Sequence, residues 1–153
     1  MTMLAEILGT HPFFFGMAPE HLDIIARCAT AADFATGKTI LTAGDEADAC
    51  YLLLDGDVAL ELVAPGCGPH VIETLHAGDI LGWSWLVEPY RWMFDAQALT
   101  DVRAVRFDAQ CLWAAKDTDP QLGFDLLRRF VVVIVDRMQA ARMQLMDIYG
   151  SPR

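Results

Sequence analysis

The sequence predicts a mainly β fold flanked by helices, on three observations. Residues 33–107 break into short apolar runs separated by Gly, Asp and Pro turns. Residues 1–31 show helical spacing. Residues 110–150 end in a long apolar stripe with a heptad period. All 153 residues are read as one domain, long enough to bury a core.

In the N-terminal zone, Leu4, Ile7 and Leu8 predict a short helix closed by Gly9, and an aromatic turn follows at His11-Pro12-Phe13-Phe14-Phe15-Gly16. Pro19 opens a second helix running to Cys28, because proline in the first turn lacks only an N–H that would go unpaired anyway. Leu22, Ile25 and Ala26 form its apolar face. The strand-like runs are Thr39-Ile40-Leu41, Cys50 to Leu54, Val58 to Val63, Val71 to Leu75 and Val102 to Phe107. Asp55-Gly56 between two of them reads as a hairpin turn. Many short strands at this spacing imply a sandwich or barrel.

From Pro120 onward, Leu127, Val131, Ile134, Met138, Ala141, Leu145 and Ile148 follow a 4-3-4-3-4-3 spacing. That is the a/d pattern of a helix laid along a partner helix, and it predicts a homodimer interface. Phe124, Phe130 and Val133 widen the first half, so that half is expected to pack on the body as well. Gly150-Ser151-Pro152 reads as the stop.

Charge excludes several functions. The chain carries 11 basic and 21 acidic side chains, for a net charge of -10. Residues 1–119 hold 6 basic and 18 acidic groups (net -12), and residues 120–153 hold 5 and 3 (net +2). An acidic body is a poor match to nucleic acid or to an anionic membrane. No apolar run exceeds six residues, the length of Phe130 to Val135, where a membrane span needs about 20. The start lacks a basic signal-peptide region. Cys28, Cys50, Cys67 and Cys111 form no CxxC pair, so the expectation is a cytoplasmic chain with free thiols.

An enzyme finds little support. His70 and His76 share strand parity but sit about 20 Å apart if extended, and Glu73 has the opposite parity. His11 reads as a turn residue and His21 as a helix-surface residue. No nucleophile elbow or phosphate loop occurs. No metal or cofactor is expected.

Residues 78–92 stand out, because Trp83, Trp85 and Trp92 cluster there. Gly82 precedes a segment that suits one helical turn, whose free N–H groups favour an anion. Ser84 adds a hydroxyl, and Arg91, one of six cations in the acidic body, offers a fork for phosphate or carboxylate. Indole faces suit a flat ligand. The structural alternative is an aromatic plug with a surface arginine.

The order of these features resembles a known family. Its marks here are His11-Pro12-Phe13-Phe14, Gly44-Asp45-Glu46, Tyr51-Leu52-Leu53-Leu54-Asp55-Gly56-Asp57-Val58, Gly78-Asp79-Ile80-Leu81-Gly82 and the heptad helix. Together they resemble the cyclic-nucleotide-binding domain of the catabolite-activator and fumarate-nitrate-regulator superfamily, over residues 4–149. The resemblance implies a double-stranded β-helix, a jelly-roll-like β-roll of eight strands, with a long C-terminal dimerisation helix. It implies ligand contacts at Gly82, Trp83, Ser84, Arg91, Trp92 and Arg142. In members that bind cyclic AMP, a glutamate of the cassette holds the ribose and an arginine holds the phosphate. Here Trp83 stands at the glutamate position. Arg91 follows Pro89 one position late, so either Arg91 or Trp92 is the arginine equivalent. Losing the carboxylate removes a charged hydrogen bond of about 1.5–3 kcal/mol. The implied ligand therefore shifts from cyclic AMP toward another anion, such as an aromatic or hydrophobic carboxylate or another nucleotide. The chain ends four residues after Tyr149, so a stand-alone form without direct DNA binding is expected. The two functional readings are a regulatory sensor of a small anion and a protein-interaction module with an aromatic-filled pocket.

Overall fold

The computed structural model describes residues 3–64, 66 and 68–149. Two short helices lead, α1 (Met3–Gly9) and α2 (Pro19–Ala26), with a 3-10 turn at Pro12–Phe14 between them. Eight strands follow, in order β1 (Ala29–Phe34), β2 (Thr39–Leu41), β3 (Ala49–Asp55), β4 (Val58–Ala64), β5 (Gly68–Leu75), β6 (Ile80–Leu81), β7 (Asp95–Ala98) and β8 (Val102–Asp108). The helices α3 (Ala109–Thr118) and α4 (Pro120–Tyr149) close the fold. The strands form two antiparallel four-stranded sheets, ordered β1-β8-β3-β6 and β2-β7-β4-β5. This is the jelly-roll-like β-roll with flanking helices and one long C-terminal helix.

Alternation explains most of the sheet faces. In β8, Val102, Ala104, Val105 and Phe107 are buried while Arg103 is exposed. β3 pairs with both β8 and β6 and is buried along Ala49–Leu53, so it reads as a continuous apolar run. Three strands are weaker in the sequence than in the fold. β1 is Ala-Thr-Ala-Ala-Asp-Phe, poor in β-formers, and is held by six paired residues of β8. β6 has only two residues, and Asp-Ala-Gln-Ala in β7 lacks a branched side chain.

Asp55-Gly56 corrects the hairpin expectation. It joins β3 to β4, which lie in different sheets, so it is a corner. A Cβ at Gly56 would stand 2.4 Å from the Asp101 carbonyl oxygen, and its φ is 98°, so the corner requires glycine. β4 instead pairs with β5 and β7.

Aromatic packing ties α4 to this body. Phe130 is buried against Phe13 and Trp85, with ring centroids at 4.9 and 5.6 Å. Arg129 donates to the carbonyls of Phe13 and Phe15 at 2.8 and 2.9 Å and to Asp125 at 3.0 Å. Asp119 caps the helix start by accepting from the amides of Gln121 and Leu122. Val133 packs on the core as expected, but Phe124 does not, being 70% exposed. Its face points away from the β-roll, along with Leu127 and Val131.

The thiols also depart from expectation. Cys28 and Cys111 form a disulfide across 83 residues, with Cα atoms 5.5 Å apart. The end of α2 and the first turn of α3 meet here, a proximity that linear spacing does not reveal. Cys50 is a free buried thiol, and burial pushes it well above its ordinary range. Cys67 lies outside the described residues, as does the Gly150-Ser151-Pro152 stop. The bond corrects the expectation of free thiols at Cys28 and Cys111. Among the described residues, no helix is long and apolar enough to cross a membrane.

Candidate ligand-binding site

β6 ends at Leu81, and the chain then runs through Gly82 and Trp83 into a 3-10 turn at Ser84–Leu86. Gly82 adopts φ 95°, and a Cβ there would stand 2.8 Å from the Trp92 ring. The absence of a side chain at Gly82 thus lets the Trp92 indole approach the backbone closely, where an anion was expected. Trp92 is only 7% exposed. The recess lined by Leu41, Leu60, Leu81, Gly82, Ser84 and Trp92 retains about 30 Å³, the space of one or two waters.

The two other tryptophans of the segment divide the roles. Trp85 is fully buried, edge-on to Trp113 and Phe130, and its carbonyl accepts from the Trp113 indole at 3.2 Å. It is a core plug. Trp83 is partly exposed and forms a wall of a larger cavity.

That cavity holds about 450 Å³ between the β-roll and α4. Leu60, Ile72, Trp83 and Phe94 line it from the β-roll, and Ile134, Met138 and Ala141 line it from the helix. Arg137 and Glu73 are its charged groups. The Arg137 guanidinium stacks 4.8 Å over the Trp83 ring, donates to the Ile80 carbonyl and lies 3.6 Å from Glu73. Its side chain is 12% exposed. Burial pulls its pKa below the ordinary value, Glu73 and Asp79 oppose that, and a guanidinium stays charged at neutral pH. Burial raises the Glu73 carboxyl, with Arg137 lowering it and Asp79 raising it further.

A third cavity, of about 520 Å³, lies between the aromatic turn, β5 and α4, with Phe15, Asp79, Arg128 and Asp136 on its walls. Glu73 and Arg137 line it as well, on the side it shares with the cavity of about 450 Å³. Among the described residues, no three His, Cys, Asp or Glu side chains gather as a metal site. His76 pairs with Asp57 at 2.7 Å, and His21 with Asp119 at 3.1 Å.

Of the expected ligand contacts, Gly82, Trp83, Ser84 and Trp92 come together at the recess. Arg91 and Arg142 do not join them. Arg91 is exposed, bridges Glu46 in extended pairing and reaches the Gly44 carbonyl at 3.5 Å. Strand alternation turns Arg91 outward because it turns Trp92 inward. Arg142 is exposed beyond the cavity. Arg137 was missed because it falls between the stripe positions Ile134 and Met138. Its position beside the apolar seam was the available signal, one it shares with Arg128 and Arg142.

The fold and this cavity define the class of the protein. Residues 32–119, more than half of the chain, match the profile described as the cyclic nucleotide-binding domain, and the chain belongs to that family. It is 25% identical over 143 residues to the CRP-like cAMP-activated global transcriptional regulator of Mycobacterium tuberculosis, over 94% of this chain and 62% of that protein. The chain thus spans somewhat under two thirds of that relative's length. Two solved structures share the fold. A cyclic nucleotide-binding domain from Methylobacillus flagellatus superposes with a TM-score of 0.82 at 19% identity, over 97% of this chain and 84% of that one. The Thermus thermophilus catabolite activator protein gives 0.71 at 23% identity, over 90% and 62%. The family places this chain among ligand-binding regulatory domains.

Proposed function

We propose that this chain is a sensor domain that takes a small anionic ligand into the cavity between its β-roll and α4. The observation that carries the reading is the cavity itself. Its volume falls in the range of roughly 300–1,000 Å³ typical of ligand sites. One wall belongs to the β-roll and the other to α4, so occupancy acts directly on the helix position.

The helix is also the proposed output. Leu127, Val131 and Met138 of the heptad stripe are exposed in the single chain, Met138 at 56%. Ile134 is partly buried and Ala141 is exposed at the cavity edge, whereas the side chains of Leu145 and Ile148 lie outside the described residues. A second copy packed along this stripe would form a homodimer whose geometry follows the ligand. The net charge of -10 supports action through the dimer or a protein partner rather than through DNA.

Cyclic AMP fits this site poorly. Trp83 replaces the carboxylate expected at the ribose, and Trp92 occupies the space beside Ser84. That closure favours one second reading, an interaction module without a ligand. Thermal-shift measurement with cyclic nucleotides and aromatic acids separates the two. A ligand at a hundred times its Kd stabilises by about 2.7 kcal/mol. The sensor reading expects such a rise from at least one compound, and no rise from any supports the interaction module.

A further inference from the structure

Resting on the sensor reading, we infer that the ligand is an apolar monoanion, a carboxylate on a ring or alkyl body, and that Arg137 of α4 is its anion-binding residue, with Glu73 occupying that position when the ligand is absent. Three observations carry this.

The first is where the charge lies. Arg137 is the cation on the cavity wall, and the remaining lining residues, apart from Glu73, are apolar or aromatic. A ligand held there matches one anionic group and a largely hydrocarbon body. The recess beside Ser84, which Arg137 also borders, keeps only about 30 Å³ next to Trp92, so the room for a ligand body is on the apolar side of Arg137.

The second is the incomplete satisfaction of a largely buried charge, 12% exposed. A guanidinium has five N–H donors. Among the described residues, Arg137 makes one hydrogen bond, to the Ile80 carbonyl. Glu73 is 3.6 Å away, beyond hydrogen-bond distance, and the Trp83 ring offers a face rather than a lone pair. Buried charges are normally both paired and hydrogen-bonded. A carboxylate entering the cavity supplies the missing acceptors in the bidentate geometry that guanidinium favours.

The third is Glu73 itself. It lies on β5, lines the same cavity and faces Arg137 at the distance of a loose ion pair. A ligand carboxylate competes with it for one guanidinium. The exchange moves Arg137 relative to β5, which couples occupancy to α4.

Calorimetric titration of the whole chain tests this with 1-naphthoate, indole-3-acetate and octanoate, each beside its primary amide, and with cyclic AMP. At least one acid is expected to bind, roughly tenfold or more tighter than its amide, the worth of a charge-assisted hydrogen bond. Arg137→Gln is expected to reduce the acid to the level of its amide. Glu73→Gln, which removes the competitor, is expected to tighten the acid and leave the amide unchanged. The acid–amide comparison needs no variant, so it decides even if Arg137→Gln does not fold. Equal affinity for acid and amide overturns the assignment, as does an acid preference that survives in Arg137→Gln. Binding of cyclic AMP without any acid also overturns it and leaves the sensor reading standing. Failure of every compound overturns both.

Discussion

Gly82 and Trp92 pack directly on each other, so a change at one is felt at the other. Gly82→Ala would place a methyl 2.8 Å from the indole on a backbone with φ 95°. Its expected cost is about 1–3 kcal/mol for each of the two effects, backbone strain and overpacking. Trp92→Ala is expected to cost about 3–5 kcal/mol and to enlarge the recess beside Ser84. Urea denaturation of the two variants measures both. Glu73 makes a second residue-scale prediction. Burial is the largest influence on its carboxyl and raises it above the ordinary 4.5, against the pull of Arg137 and with the push of Asp79. A carboxyl raised by folding stabilises the fold at low pH and loses that contribution as pH rises through its folded value. Wild type should therefore fall in stability relative to Glu73→Gln between pH 4 and neutrality. Parallel stability curves across that range would contradict the assignment of burial as the cause. The same residues show why the site was only partly legible. Gly82, Trp83 and Ser84 are contiguous and Trp92 follows eight residues later, so they announce themselves as a cluster. Arg91 drew attention because cations are scarce in the body, but one residue of alternation turned it to the surface. Arg137 is 46 positions from Arg91 in sequence and meets Trp83 only through the docking of α4.

At the scale of elements, α4 has two jobs on two faces. One face packs through Leu122, Leu126 and Phe130, and the other shows Leu127 and Val131 half-exposed. Leu127→Asp with Val131→Asp should leave the single-chain fold intact, since neither side chain is buried in it. Light scattering at micromolar concentration is expected to give a dimer for wild type and a monomer for the double variant. A monomeric wild type would remove the proposed output. The Cys28–Cys111 disulfide joins the junction of α2 and β1 to α3 and closes a long loop. Its removal by Cys28→Ser with Cys111→Ser is expected to lower stability by about 2–4 kcal/mol. Equal stability of that variant and the oxidised wild type would show that the bond contributes nothing in solution. Long periodic elements were legible for a physical reason: α4 repeats its apolar period over many turns, and the runs in β3, β4 and β8 are rich in Val and Leu. β1 and β7 were not, because alanine-rich strands owe their conformation to their partners.

Across the whole molecule, the charge split acquires a structural meaning. The acidic portion is the β-roll with its helical cover, and the near-neutral portion is α4, which carries both the exposed apolar stripe and the buried Arg137. Two cations of the helix thus reach the acidic body: Arg129 docks on the aromatic turn, and Arg137 is loosely held by Glu73 and stacked on Trp83. The most direct test is the indole N–H region of a proton–nitrogen NMR spectrum, with the four tryptophan signals assigned by single Trp→Phe variants and followed during titration with 1-naphthoate, indole-3-acetate and octanoate. A ligand in the cavity between the β-roll and α4 should shift the Trp83 signal in a saturable way and leave that of buried Trp85 in place. Four unmoved signals with all three acids, or movement of Trp85 without Trp83, would contradict a ligand site in that cavity.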